Sequence, residues 1–128
     1  MNRPIAIAVA VAVLAAVVAG AIVLSTPLRR SEEHLREALL TETPLGAEFD
    51  EVRLLLNARG WLDDRHHEHI GFLKQVPGRK TEVVGLRSLR AHLGHYRAPY
   101  RTDVTAFWGF DEEGKLVDIW VWKTTDSI

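Results

Sequence analysis

The sequence predicts an α+β domain that follows one N-terminal transmembrane helix. Three observations support this prediction: an uncharged run of twenty residues near the N-terminus, two helical segments in the middle of the chain, and two C-terminal runs rich in β-branched and aromatic residues. Helices followed by antiparallel strands are typical of the α+β class. We therefore expect two short helices packed on an antiparallel sheet of three to four strands that ends in a β-hairpin.

The uncharged run covers residues 5–24 and contains no amide or hydroxyl side chain. As a helix it would measure roughly 30 Å, which is the hydrocarbon thickness of a bilayer. A cleaved signal peptide is the main alternative, with small residues at positions 19–21, but its apolar part is usually only ~7–15 residues long. We assign residues 1–28 to a transmembrane anchor, or uncleaved signal sequence, and residues 29–128 to a small α+β domain.

The residues that flank this run favour a cytoplasmic N-terminus. Arg3 precedes the run, and Arg29 and Arg30 follow it, so the basic residues that orient a membrane helix are nearly balanced. The tail before the run is very short, as in a signal sequence that enters a translocon with its N-terminus inside. We expect a single-pass membrane protein whose domain lies outside the cytoplasm.

Charge is unevenly distributed along the domain, although the whole chain has a formal net charge of −1. Acidic residues predominate in residues 31–70, and basic residues predominate in residues 79–101. Such segments usually pair within a fold or form separate solvated surfaces. A nucleic-acid surface would need a net basic domain, so nucleic acid is not an expected partner.

Two segments predict the helices. Ser31 is a suitable N-cap for a helix over residues 32–40, whose first turn is acidic. A proline at position 44 separates it from a second helix over about residues 48–59, which Gly60 ends. The second helix has an apolar stripe of Phe49, Val52, Leu55 and Leu56.

The rest of the domain predicts strands. Residues 61–80 predict a loop with one short strand. Residues 81–96 fit a helix or a strand, and their two glycines favour a bulged strand. Residues 104–110 and 115–122 flank a short loop that ends in Gly114, which predicts a β-hairpin.

A helix that begins after Gly46, a variable loop and the closing segment 110–116 together resemble the SmpA/BamE-like envelope domains. The resemblance covers about residues 44–123. It implies two helices on a three-stranded antiparallel sheet, and a binding module that helps to assemble or stabilise a membrane complex without catalysis. Members of that family are commonly lipoproteins, whereas this chain has no cysteine to carry a lipid.

Tryptophans of the C-terminal hairpin are the candidate partner-binding residues. Alternation along the last strand would place Asp118 on one face together with Leu116, Trp120 and Trp122. Tryptophan is enriched in binding hot spots, so this face is a candidate interface; the alternative is that it forms the core under the helices. The residues expected on the opposite, buried face are Val117, Ile119 and Val121. The candidate partner-binding residues are Trp108, Trp120 and Trp122.

The segment 63–69 combines carboxylates and imidazoles, which are metal ligands. A structural zinc site needs four ligands, and Arg65 opposes a cation, so a polar surface loop is the favoured interpretation. The alternative function is therefore a metal- or small-ligand-binding sensor that uses His66, His67 and His69. We expect no bound metal or cofactor.

Catalytic motifs are missing from the sequence. The chain has no cysteine, no Gly-x-Ser-x-Gly motif and no glycine-rich phosphate loop. His92 and His95 have no carboxylate nearby in sequence. On a helix they would share a face, and on a strand they would point to opposite sides. We predict a membrane-anchored, non-catalytic protein-binding or assembly module of the cell envelope, whose partner is another envelope or membrane protein.

Overall fold

The computed structural model describes residues 28–63, 68–97 and 99–125. The predicted anchor, residues 5–24, lies outside the described residues, as do His66 and His67. Within those three ranges, none of the helices has the length and apolar character needed to cross a membrane.

The described chain forms two helices, one three-stranded sheet and one two-stranded hairpin. The helices are α1 (Glu32–Glu42) and α2 (Phe49–Ala58), and the strands are β1 (Phe72–Lys74), β2 (Glu82–Val84), β3 (Arg87–Arg97), β4 (Arg101–Phe110) and β5 (Leu116–Thr125). Strands β3, β4 and β5 are antiparallel and adjacent in this order, while β1 pairs with β2. The α+β class, the two helices and the C-terminal hairpin are confirmed; the separate two-stranded sheet is a further element.

Local chemistry explains the ends of α1. The Oγ atom of Ser31 accepts a hydrogen bond from the His34 N–H at 3.1 Å, as expected of an N-cap. At the other end, the Oγ1 atom of Thr43 donates to the Leu39 carbonyl at 2.9 Å, and Pro44 follows. Both ends therefore lie within two residues of the positions that the sequence predicts.

The hydrophobic core lies between the helices and one face of the three-stranded sheet. Leu35 and Leu39 of α1 and the buried stripe of α2 cover this face. Trp108 is completely buried there, and its Nε1 atom donates to Thr43 Oγ1 at 3.0 Å. The sheet contributes Leu89, Ala91, Val104, Ala106, Trp108, Phe110, Leu116, Ile119 and Val121 to the core.

Strand β3 contains a bulge. Its register with β4 shifts between His92 and Gly94, so Leu93 is the extra residue. A bulge changes the alternation of side chains along a strand. The expectation that His92 and His95 point to opposite sides is therefore wrong, because both have register positions on the sheet face opposite the helices.

The β1–β2 hairpin lies across part of that same face. The ring of Phe72 is buried, with its centroid 5.6 Å from that of Phe107 and 6.2 Å from that of Trp120. Glycines at the base of the hairpin allow this close approach: a Cβ on Gly71 would collide with the carbonyl of Gly85, and one on Gly85 would lie 2.7 Å from the β4 backbone. The hairpin therefore covers one end of the face and leaves the other end open.

Candidate partner-binding face

The sheet separates the three candidate tryptophans. Trp108 lies in the core on the helix side, completely buried. Trp120 and Trp122 lie on the opposite side, where Trp120 is half-buried and Trp122 is 37% exposed. The structure thus brings two of the three predicted residues together on one surface, which we call the open face.

A register shift at the start of β5 changes the predicted burial there. Leu116 pairs with Phe110 and Asp118 pairs with Gly109, so Val117 is the extra residue of a bulge. Val117 is consequently 43% exposed, and the expectation that it is buried is wrong. The same bulge turns Leu116 into the core, so the expectation that it shares a face with Trp120 and Trp122 is wrong as well.

Four aromatic rings form a continuous row on the open face. Trp122 stacks on Trp120 with centroids 5.5 Å apart and planes inclined by 13°, and Trp120 stacks on Phe107 at 5.3 Å. Phe72, on the β1–β2 hairpin, packs against Phe107 and Trp120 at the other end of the row. Each such pair contributes about 0.5–1.5 kcal/mol beyond the burial of area. The exposed ring of Trp122 is therefore ordered on one side by its stacking on Trp120.

Polar and charged side chains border the exposed end of this row. Trp122 and His92 flank Thr105 on β4 from either side. The Nε2 atom of His92 lies 3.1 Å from Asp103 Oδ1, to which Arg101 Nη2 donates at 3.1 Å. Hydrogen bonds from Arg101, and then from His92, hold the pKa of Asp103 below its ordinary value. An ionised carboxylate thus stands beside an apolar centre, as in the polar rim of protein interfaces.

Asp118 lies on the open face, but its carboxylate is engaged within the molecule. Oδ1 accepts from Arg36 Nη2 at 2.7 Å, and Oδ2 lies 3.3 Å from Lys74 Nζ. Burial alone would raise the pKa of Asp118, but the hydrogen bond from Arg36 and the nearby Lys74 charge outweigh it and lower that pKa. Asp118 therefore joins α1, β1 and β5, and we assign it a structural role.

Other parts of the chain form hydrogen bonds at both edges of the three-stranded sheet. Along β5, the Nε atom of Arg36 donates to the Ile119 carbonyl at 2.8 Å. Along β3, the segment 61–63 runs beside the strand. The His92 N–H donates to the Trp61 carbonyl, and the Asp63 N–H donates to the Arg90 carbonyl, both at 2.9 Å. Partners that add a strand need free edge groups. The segment 61–63 thus takes backbone groups of β3 that an added strand would need.

The histidine segment has a different arrangement in the part that the structure describes. His69 is exposed. The carboxylate of Asp63 lies 3.2 Å from Arg90 Nε, and that of Glu68 lies 3.0 Å from Arg53 Nε. Within residues 28–63, 68–97 and 99–125, no three His, Asp or Glu side chains are grouped to hold a metal ion.

Two residues of the open face were not among the candidate partner-binding residues. Phe107 lies beside Trp120 across the hairpin, and alternation along β4 would have placed it there. Asp103 lies beside His92 because Thr105, the register partner of His92, is two residues further along β4 on the same face, and no local pattern predicts that contact.

Comparison with known proteins gave no match to a family model, to a curated protein or to a solved structure. The resemblance to SmpA/BamE-like envelope domains stays a prediction. The function is accordingly inferred from the open face and from the sequence that precedes the domain.

Proposed function

We propose that this chain is a membrane-anchored, non-catalytic protein-binding or assembly module of the cell envelope. It binds its partner through the open face of the sheet. The observation that supports this proposal is the position of Trp122, which is 37% exposed at the end of a row of stacked rings.

The stacking of Trp122 on Trp120 favours binding. A side chain that is already ordered loses little conformational freedom when a partner covers it, so more of the burial energy appears as affinity. Trp is also the residue type most enriched at binding hot spots. The His92–Asp103–Arg101 group adds hydrogen-bonding partners at one side of the ring.

The anchor determines which partners the open face can meet. Residues 5–24 would hold the domain at a membrane, and Leu28, the first described residue, packs on the sheet at Gly94. Only three residues separate the two, so the domain cannot move far from the bilayer. The partner is accordingly another envelope or membrane protein, on the extracytoplasmic side.

The proposal is tested by exchanging Trp122 for alanine in the full-length chain and recovering its complexes after crosslinking in cells. We expect loss of one specific membrane protein, because truncation of a hot-spot residue lowers affinity by about thirtyfold or more. The matched control is Leu54→Ala, since Leu54 is 70% exposed on α2, across the sheet from the open face.

Thermal unfolding of both variants separates folding from binding. Trp122→Ala should unfold within a few degrees of the wild type because the ring is partly exposed and only one side stacks. If Trp122→Ala and Leu54→Ala recover the same partner in the same amount, the open face is not the binding surface.

A further inference from the structure

The first described residues are fixed at one end of the sheet. A Cβ on Gly94 would lie 2.7 Å from the Cδ1 atom of Leu28, so this glycine leaves room for the leucine side chain. Arg29 Nη2 donates to the Arg97 carbonyl at 2.8 Å, and its guanidinium lies 5.0 Å from the ring centre of Tyr96. The described chain therefore begins, at Leu28, beside the connection between β3 and β4.

Cations cluster at this end of the domain, which we call the basic end. Asp103 is paired there with Arg101, and Glu32 and Glu33 lie in the first turn of α1. Among the described residues, five cations lie near three carboxylates, an excess of two positive charges. Tyr100, in the β3–β4 connection, is 43% exposed. The cations of the basic end are Arg29, Arg30, Arg97, Arg101 and Lys123.

The opposite end of the sheet carries the opposite charge. The loop between β4 and β5 contains Asp111, Glu112 and Glu113, and the neighbouring Glu48 pairs with Lys115. Since β4 has ten residues, the two ends lie roughly 30 Å apart. That separation exceeds the Debye length of about 8 Å at physiological ionic strength, so a charged surface at one end has little effect on the other.

We propose that the basic end rests on the anionic phospholipid headgroups of the bilayer that holds the anchor, with Tyr100 at headgroup level and the β4–β5 loop pointing away. Each arginine near an anionic membrane surface shifts the contact equilibrium by about fivefold. Exposed tyrosines and arginines are also typical of membrane interfaces. This inference rests on the proposed membrane anchor.

The orientation also sets the direction of the open face. With the basic end on the membrane, the strands run along the bilayer normal. The open face then stands perpendicular to the membrane surface. Trp122 then faces the space in which neighbouring membrane proteins stand. A partner anchored in the same bilayer could reach it without crossing the headgroup layer.

Single spin labels test the orientation, because the chain has no native cysteine. Tyr100→Cys and Glu112→Cys of the full-length chain are labelled and reconstituted into vesicles of phosphatidylcholine alone, or of phosphatidylcholine mixed equally with phosphatidylglycerol. Flotation with the vesicles reports the anchor, and accessibility to a water-soluble relaxation agent reports the position of each label.

In the mixed vesicles we expect the label at 100 to be protected and the label at 112 to be exposed. Protection at 100 should fall in phosphatidylcholine alone, in high salt and on adding Arg97→Gln with Arg101→Gln. The matched control, Arg79→Gln with Lys80→Gln, removes two exposed cations from the β1–β2 connection and should leave protection unchanged. A chain that floats but shows equal exposure at 100 and 112 overturns the orientation alone, whereas a chain that does not float overturns the anchor and the orientation with it.

Discussion

Thr43 connects two layers of the fold through one hydroxyl group. Its Oγ1 atom donates to the Leu39 carbonyl at the end of α1 and accepts from the buried indole N–H of Trp108. Only 5% of Thr43 is exposed, so water cannot easily replace the hydroxyl. The end of a helix and the centre of the sheet therefore depend on the same atom.

Replacing Thr43 with valine should destabilise the domain. Valine keeps the shape of threonine, but the Trp108 N–H would remain buried without an acceptor, which costs about 1–3 kcal/mol. Urea unfolding at neutral pH, followed by circular dichroism, measures the difference. Thr43→Ser keeps the hydroxyl and is the control; equal losses for the two variants would show that the missing hydrogen bond is not the cause.

Asp118 makes the stability of the domain depend on pH. Its pKa in the folded protein lies below the ordinary value, so the ionised form stabilises the fold. This contribution is fully present above the unfolded pKa of about 3.9 and is lost as the pH falls through the folded value. We expect the free energy of unfolding to fall on acidification below about pH 4, and Asp118→Asn to flatten that decrease while lowering stability at neutral pH.

Asp103 contributes to the same decrease in the same direction, because Arg101 and His92 also lower its pKa. It lies at the surface, so added salt should screen its contribution more than that of the half-buried Asp118. Acid unfolding of Asp118→Asn and Asp103→Asn in low and high salt separates the two. If the wild type and Asp118→Asn lose stability in parallel, Asp118 is not the responsible group.

Single residues were predictable where their role is local. Ser31 caps the helix that follows it directly, and alternation alone places Trp120 and Trp122 on one face. The role of Asp118 was not predictable, because Arg36 and Lys74 are 82 and 44 residues away along the chain. No local pattern encodes contacts over such separations.

At the scale of elements, the β1–β2 hairpin determines how much of the aromatic row is open. Gly71→Ala should detach it, because the new Cβ would collide with backbone carbonyl oxygens of Val84 and Gly85, which cannot move without displacing β2. We expect Phe72 to leave the sheet, Trp fluorescence to shift to longer wavelength as Trp120 is exposed, and amide exchange to rise over residues 71–85. The helices and β3–β5 should keep their protection.

Leu73→Ala is the matched control for this prediction, since Leu73 lies in β1 but is 56% exposed on its outer side. Surface substitutions of this kind usually change stability by less than about 0.5 kcal/mol. Unchanged exchange over residues 71–85 in Gly71→Ala would mean that the backbone adjusts without releasing the hairpin.

Long elements with a clear periodicity were predicted well, and short or irregular ones were not. Both helices and the β4–β5 hairpin follow from their patterns. Strands β1 and β2 have only three residues each, too few for alternation to be recognised. The bulges after His92 and Gly109 shift the register by one residue, and this alone misplaced His95 and Val117.

At the scale of the whole molecule, the uneven charge along the sequence becomes a separation in space. Part of the basic segment 79–101 pairs within the fold, as Arg90 does with Asp63. The rest, including Arg97 and Arg101, collects at the end where Leu28 enters the domain. Composition could show the excess of charge in each segment, but only the antiparallel topology brings the N-terminal arginines and the β3–β4 connection together.

The largest effect at this scale is expected from removing residues 1–27. The full-length chain should stay with the membrane fraction through a carbonate wash, because twenty apolar residues make partition from the bilayer very unfavourable. The truncated chain should be recovered in the supernatant.

Protease added to cells whose inner membrane is intact and accessible should digest the domain of the full-length chain if it lies outside the cytoplasm.

Mass spectrometry of the membrane-bound chain tests the cleaved alternative in the same preparation. A mature N-terminus near positions 19–21 would show that the apolar run is a signal peptide, since cleavage there would leave too few apolar residues to span the bilayer. The orientation of the basic end would then lose the anchor on which it depends. Retention of the intact chain through the carbonate wash would instead establish the anchor on which the orientation of the open face depends.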